Sequence, residues 1–279
     1  MPDLADWIGR TETTHDLITA WPVSALHATL DSNDPPAGEG DLLPPMWHWL
    51  FFLSTVRSSD LGSEGHARLG EFLPPVPLPR RMFAGGRTEF FGPLRIGQAA
   101  RREGTVIAVE EKEGRSGPLV FVTVRYDVIT EDGLVLREEQ DLVYRSAATA
   151  PETLPPGAEP IPSTPWAQTV TPDEVMLFRF SALTFNSHRI HYDHPYVTGV
   201  EGYPHLIVHG PLIALLLADL AVRNGQRALQ RFSFRARSPI YADGPFTLRG
   251  DASGDTATLS TWSHDRRLAM TAVGMFATQ

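Results

Sequence analysis

The chain of 279 residues contains no cysteine. That excludes a disulfide framework, a thiolate nucleophile, a cysteine-ligated zinc and an iron–sulfur cluster. Basic residues are in the minority: 24 Lys and Arg stand against 33 Asp and Glu, a net charge of −9. A nucleic-acid binder needs a basic face, so that class is not expected. A membrane-length apolar run is missing too. The longest run, Pro211–Leu220 extended past Asp219 to Val222, is too short for a bilayer and reads as a buried helix. The opening MPDLADWIGRTE has acids where a signal peptide would carry a basic region and an apolar stretch. A cytoplasmic protein is expected. The apolar fraction of 42% still suffices for a core without covalent staples.

What the chain has in excess is proline, 24 residues where average usage is about 5%. Six fall in PETLPPGAEPIPSTP, Pro151–Pro165, an extended and semi-rigid linker composition. The expected organisation is therefore a first domain over 1–148, a linker over 149–166 and a second domain over 167–279. Both halves share an outline. In the first, Pro44–Leu53 (PPMWHWLFFL) reads as a buried helix. Strand-like segments follow from Phe90, with Thr105–Val109, Pro118–Ile129 and the run after Gly133 rich in β-branched and aromatic residues. Turns are expected at Gly114–Gly117 and Glu131–Gly133. In the second, Gly210–Val222 is the helix, apolar all round, with Pro211 at its start and Asn224-Gly225 at its stop. Strands follow from Phe232 to the C-terminus. Two copies of one α+β unit, an antiparallel sheet wrapped around a helix, are expected.

The densest chemical signal is histidine. Five of the ten, His188, His191, His194, His205 and His209, fall between positions 188 and 209. EVMLFRFSALT before them alternates like a strand, and Asp193 followed by Pro195 reads as a helix cap. Asn186 to His191 is then a turn between strand and helix, where side chains can converge. Three readings compete. Metal binding is poorly served, because i, i+3, i+6 does not stack three ligands on one helix face and Asp193 is the only nearby acid. Structural histidines bonded to backbone are the second reading. The third is a general acid/base site. Its partner would be Gly210, whose N–H at a helix start can stabilise a developing oxyanion, although His209-Gly210-Pro211 also reads as plain helix initiation.

At these residues the sequence resembles the MaoC-like hydratase/dehydratase family of the hot-dog superfamily. The family motif G-D-x-N-P-x-H, with a later H-G, falls on Phe185–His191 and His209-Gly210. The variant Thr184–Asp193 is similar to a branch of mesaconyl-C4-CoA (3-methylfumaryl-CoA) and itaconyl-CoA hydratases and mitochondrial 3-hydroxyacyl-thioester dehydratases. Asp6–Asp16 and Leu73–Gly97 also resemble the bacterial members of that branch. The resemblance implies a double hot-dog fold with one degenerate half, and reversible addition of water to an α,β-unsaturated thioester. It implies no cofactor and no metal, coenzyme A being part of the substrate. His191 would be the acid/base and Gly210 the oxyanion donor. Asn186 replaces the motif's Asp; an amide takes no proton, so it would orient water, with Asp193 tuning His191 or capping the helix. Arg189, in the motif's proline position, and Arg80 and Arg81 are candidates to hold a second carboxylate, with His188 and His209 beside the substrate. The expected partner is the acyl-CoA, with a homodimer through sheet edges left open. A dehydratase of fatty acid synthesis and a non-catalytic thioester-binding protein are the alternatives.

Overall fold

The computed structural model describes residues 3–114, 117–147 and 154–278. The first half runs β1 (Thr11–Leu17), α1 (Ala20–Thr29), β2 (Arg80–Phe90), β3 (Ala99–Gly114), β4 (Gly117–Thr130) and β5 (Gly133–Arg145). The second runs β6 (Trp166–Val170), α2 (Glu174–Leu183), α3 (His194–Gly199), α4 (Gly210–Gly225), β7 (Leu229–Ala236), β8 (Phe246–Ser253), β9 (Thr256–Ser263) and β10 (Leu268–Phe276). All ten strands form one antiparallel sheet in the order β1-β3-β4-β5-β2-β7-β10-β9-β8-β6. That order mirrors itself about the β2–β7 seam: each half contributes an outer strand, a helix after it, a seam strand, and a three-stranded meander whose last strand pairs with the seam strand. The duplication expected from the sequence is plain in this symmetry.

The strands form where alternation says they should. In β4, Val120, Val122, Val124 and Val128 are buried while their neighbours are not. The hairpin from β4 to β5 turns at Glu131-Asp132, and Gly133 supplies a φ of 106°. At the seam, Gly85 pairs with Arg235 and Glu89 with Arg231. A Cβ on Gly85 would stand 2.6 Å from the Phe234 carbonyl oxygen, so only glycine lets the halves close here. The core gathers on α4, where Leu212 to Ala218, Leu220 and Ala221 are all buried. A smaller cluster around Val106, Val122 and Tyr144 packs under the loop residues Leu69–Leu78.

Two expectations need correction. Residues 174–183 are a helix, not a strand. Asp173 caps it through Met176 N–H at 2.7 Å, and Leu177, Phe180 and Ser181 form the buried face. Val175 and Phe178 are 59% and 63% exposed, so the apparent alternation mixed the two faces of a helix. The turn carrying the histidines therefore joins two helices. Pro44–Leu53 is buried, but only Trp47–Leu50 is helical, as one 3-10 turn. The domain boundary expected at 148 lies outside the described residues, as do Arg115 and Ser116 of the expected 114–117 turn. Within the expected linker the chain touches the second half at Gly157. Gly157 N–H bonds the Asp265 carbonyl at 2.8 Å, and a Cβ there would collide with the Arg266 backbone.

Candidate active site

A cavity of about 590 Å³ lies where the two halves meet. That is a normal size for a small-molecule site. One wall is the turn after α2. Phe185 has a left-handed φ of 48°, a conformation glycine takes without cost, and the family motif has glycine at this place. Here the phenylalanine keeps the turn. Asn186 Oδ1 accepts the His188 N–H at 3.0 Å, an Asx turn that aims His188 inward. A 3-10 turn over Arg189–His191 follows and brings His191 to the cavity.

His191 is fixed from two sides. Its Nδ1 lies 2.7 Å from the Ile207 carbonyl oxygen. A carbonyl only accepts, so Nδ1 carries the proton and Nε2 holds the lone pair. Its ring stacks on His209, with centroids 3.6 Å apart and planes 19° apart. His209 is wholly buried behind it, with Nε2 2.8 Å from Ser181 Oγ. Burial pushes His191 down to about 4, opposed by the bond to Ile207. The same cause, with repulsion from His191 and Arg81, takes His188 to about 2. Burial also holds His209 and His66 well below the ordinary range. At neutral pH all four imidazoles are uncharged.

Gly210 opens α4 on the cavity wall. As a first-turn donor its N–H has no partner within the helix, and it lies at the positive end of the helix dipole. A Cβ built there would meet only Phe83, at 3.6 Å, so the protein's own packing does not require glycine. The bareness of this position serves the cavity side.

Of the residues expected at the site, His191, Asn186, His188, Gly210 and Arg81 line the cavity. His209 supports it from behind. The other three do not reach it. Asp193 caps α3 through Tyr196 N–H at 3.0 Å and pairs with Arg189, which holds its carboxyl below the usual range. It does not tune His191. The Arg189 guanidinium bonds Asp193 and the Ser63 carbonyl and lies 4.0 Å over the Tyr196 ring, outside the cavity wall. Arg80 is buried against Glu201 and the Tyr203 ring. Neither Arg189 nor Arg80, expected as holders of a substrate carboxylate, lines the cavity.

His66 was not anticipated. It arrives on a first-half loop that docks on the histidine turn: Arg189 N–H bonds the Glu64 carbonyl at 2.9 Å, and Ser187 Oγ bonds the Gly65 carbonyl. Its ring lies 4.2 Å from that of His188, which in turn is 5.6 Å from His191. Trp49 and Gln140, also cavity-lining, are held by the buried Glu138, which accepts Trp49 Nε1 at 2.8 Å and Gln140 Nε2 at 3.0 Å. Nothing local in the sequence marks these residues, because each meets the site only through long-range packing.

Among the described residues no helix is long and apolar enough to cross a membrane, and no group of His, Asp or Glu forms a metal-binding cluster. Residues 46–242 match the family model described as hydroxyacyl-thioester dehydratase type 2. A Chloroflexus aurantiacus protein named mesaconyl-C(4)-CoA hydratase is 48% identical over 97% of this chain and 96% of its own. The mitochondrial hydroxyacyl-thioester dehydratase type 2 of Schizosaccharomyces pombe is 28% identical over 84% and 87% of the two chains. Among solved structures, Mycobacterium tuberculosis HtdX aligns with a TM-score of 0.68 at 17% identity, over 96% of this chain and 100% of that one. A second M. tuberculosis protein, described as having a double hotdog fold, aligns at 0.57 and 13% identity over 98% of each chain. With its family model spanning most of the sequence and a near-full-length relative at 48% identity, the chain belongs to the hydroxyacyl-thioester dehydratase type 2 family, MaoC-like hydro-lyases of the double hot-dog fold.

Proposed function

We propose that this protein reversibly adds water to the double bond of a short α,β-unsaturated acyl-CoA bearing a second carboxylate, such as mesaconyl-C4-CoA. The observation that carries the reading is one geometry: His191, its tautomer set by the Ile207 carbonyl, faces the same cavity as Gly210, the first residue of α4. The 48% identical relative, named for mesaconyl-C(4)-CoA, supports the choice of thioester.

The steps follow from these groups. The thioester oxygen sits at Gly210 N–H. Water sits between His191 Nε2 and the NH2 of Asn186, whose Oδ1 is already committed to the turn. Nε2 takes a proton from the water as its oxygen bonds the β-carbon. The double-bond electrons move toward the carbonyl, and the enolate charge that develops is met by Gly210 N–H and the dipole of α4. The imidazolium then returns its proton to the α-carbon. Atoms and charge balance with one imidazole and no second acid. Asn186 orients but never carries a proton.

His191→Ala should lower kcat/KM by about 1,000-fold or more while the protein stays folded. Initial rates on mesaconyl-C4-, itaconyl- and crotonyl-CoA test the whole reading. The dicarboxylic thioesters should lead. A preference for long-chain 3-hydroxyacyl thioesters would favour the fatty-acid dehydratase, the activity for which the family model is named. No turnover of any enoyl-CoA would favour a binding protein.

A further inference from the structure

Arg80 and Arg81 are neighbours on β2, so the pleat sends them to opposite faces. Arg80 is spent on Glu201. Arg81 turns to the cavity. Among the described residues no carboxylate pairs with it. Its electrostatic neighbours are His66, His188, Tyr126 and Tyr144, of which the Tyr144 hydroxyl also accepts a hydrogen bond from it. Glu64 stands in the wall of an adjoining recess of about 200 Å³ that Arg81 and His66 also line, but no ion pair joins Glu64 to Arg81. The rest of the surrounding wall is largely apolar, with Phe83, Phe121, Leu142 and Ile190. A guanidinium stays charged at any working pH. Here it is a partly buried cation with a phenol but no carboxylate for a partner, and two uncharged imidazoles, each with one N–H to give, stand next to it. His66 Nδ1 is buried and without a partner.

The place matters as much as the charge. In a 3-methylfumaryl thioester the free carboxylate is bonded to the β-carbon, the atom that water attacks. Its counter-ion must therefore stand close to the reactive imidazole but not on it. The order of side chains is His191, then His188 at 5.6 Å, then His66 at 4.2 Å from His188, with Arg81 beside the last two.

We propose that Arg81, with the imidazoles of His66 and His188, forms the carboxylate subsite that makes this enzyme choose dicarboxylic over plain enoyl thioesters. The proposal rests on the dicarboxylic reading above and names the groups that enforce it. Arg81 takes the carboxylate in a two-pronged grip, and His66 and His188 donate to the remaining lone pairs. The grip also lowers the negative charge next to the attacked carbon, so it acts on kcat as well as on KM.

The test is the ratio of kcat/KM for mesaconyl-C4-CoA to that for crotonyl-CoA, in wild type, Arg81→Met, Arg81→Lys, His66→Phe and Arg237→Met. Arg237 is another cavity arginine, on the far side of the seam. Two charged hydrogen bonds are at stake, so Arg81→Met should lower the ratio about 100-fold or more. Arg81→Lys, which keeps the charge but loses the fork, should fall between. His66→Phe should lower the ratio several-fold. Each variant's turnover of crotonyl-CoA reports that its site is assembled. A ratio unchanged in Arg81→Met and Arg81→Lys overturns the subsite. So does a ratio that moves in Arg237→Met instead, which would place the carboxylate at the other end of the cavity. A wild type that shows no preference for dicarboxylic thioesters overturns the substrate reading itself, a different result from either of these.

Discussion

His191 owes its chemistry to neighbours that never touch substrate. The Ile207 carbonyl sets its tautomer and the His209 ring sets its plane. Because burial holds it down to about 4, its base form is complete across neutrality. The kcat/KM for hydration should therefore be flat from about pH 6 to 8. An inflection near the ordinary histidine value of about 6.5 would show that His191 titrates as an exposed imidazole does. Ser181 is a positioning residue in this scheme. Ser181→Ala leaves His209 without a partner on either nitrogen, because its Nδ1 has none already. The expected cost is about 1–3 kcal/mol of stability, read by denaturant titration. The loosened stack should also lower kcat several-fold with little change in KM, a split that a purely structural residue would not produce. At this scale the sequence was partly legible. His191, Asn186 and Gly210 could be found because they lie in one short motif and its downstream H-G. Arg189 was named for the same reason. It sits in the motif, but the 3-10 turn that brings His191 inward carries Arg189 out to Asp193.

Among the elements, the loop that carries His66 makes its closest approach to the histidine turn at Gly65. Gly65 has a φ of 96°, and a Cβ there would stand 1.9 Å from the Ser187 carbonyl oxygen. Gly65→Ala should push this loop off the histidine turn and lower kcat/KM at least 10-fold. Gly9→Ala is the control: its φ is 89°, but nothing lies within 4 Å of the added methyl, so only backbone strain of about 1 kcal/mol is expected. Equal effects of the two substitutions on activity would mean the docking contact is unimportant. The helix Glu174–Leu183 shows why element type was harder to read than element position. Its apolar residues lie on both faces, since Val175 and Phe178 are exposed, so neither the helical nor the strand period is clean. The long strands β3 to β5 were legible because their buried valines alternate over many residues. The loop from Leu53 to Pro79 has no period at all, and its contribution to the site comes only from where it docks.

For the molecule as a whole, the buried histidines tie stability to pH. His66, His188, His191 and His209 are all lowered on folding. The unfolded chain binds those four protons below about pH 6.5, while the folded chain resists them. Their contribution is fully present above that pH and is lost as pH falls toward the folded values, by about 1.4 kcal/mol per pH unit for each histidine. Asp219 opposes this. Buried under Trp47, it is raised to about 7, so the folded chain holds its proton longer. Its share declines as pH rises from the unfolded carboxylate range to about 7. Four groups outweigh one, and the melting temperature should drop steeply between about pH 6.5 and 4.5. A melting temperature independent of pH in that range would refute the buried neutral cluster.

The β2–β7 seam has a kinetic meaning as well. Residues 85–89 pair with residues 231–235, partners far apart along the chain. Hairpins such as β3–β4 and β8–β9 close over short loops, but the seam must close the longest loop in the sheet, which costs chain entropy before any contact rewards it. Arg81 lies on one side of this seam and His191 on the other. The active site is thus the last part of the molecule to exist. During refolding from denaturant, the far-ultraviolet signal of the separate meanders should return first, and hydratase activity should lag behind it.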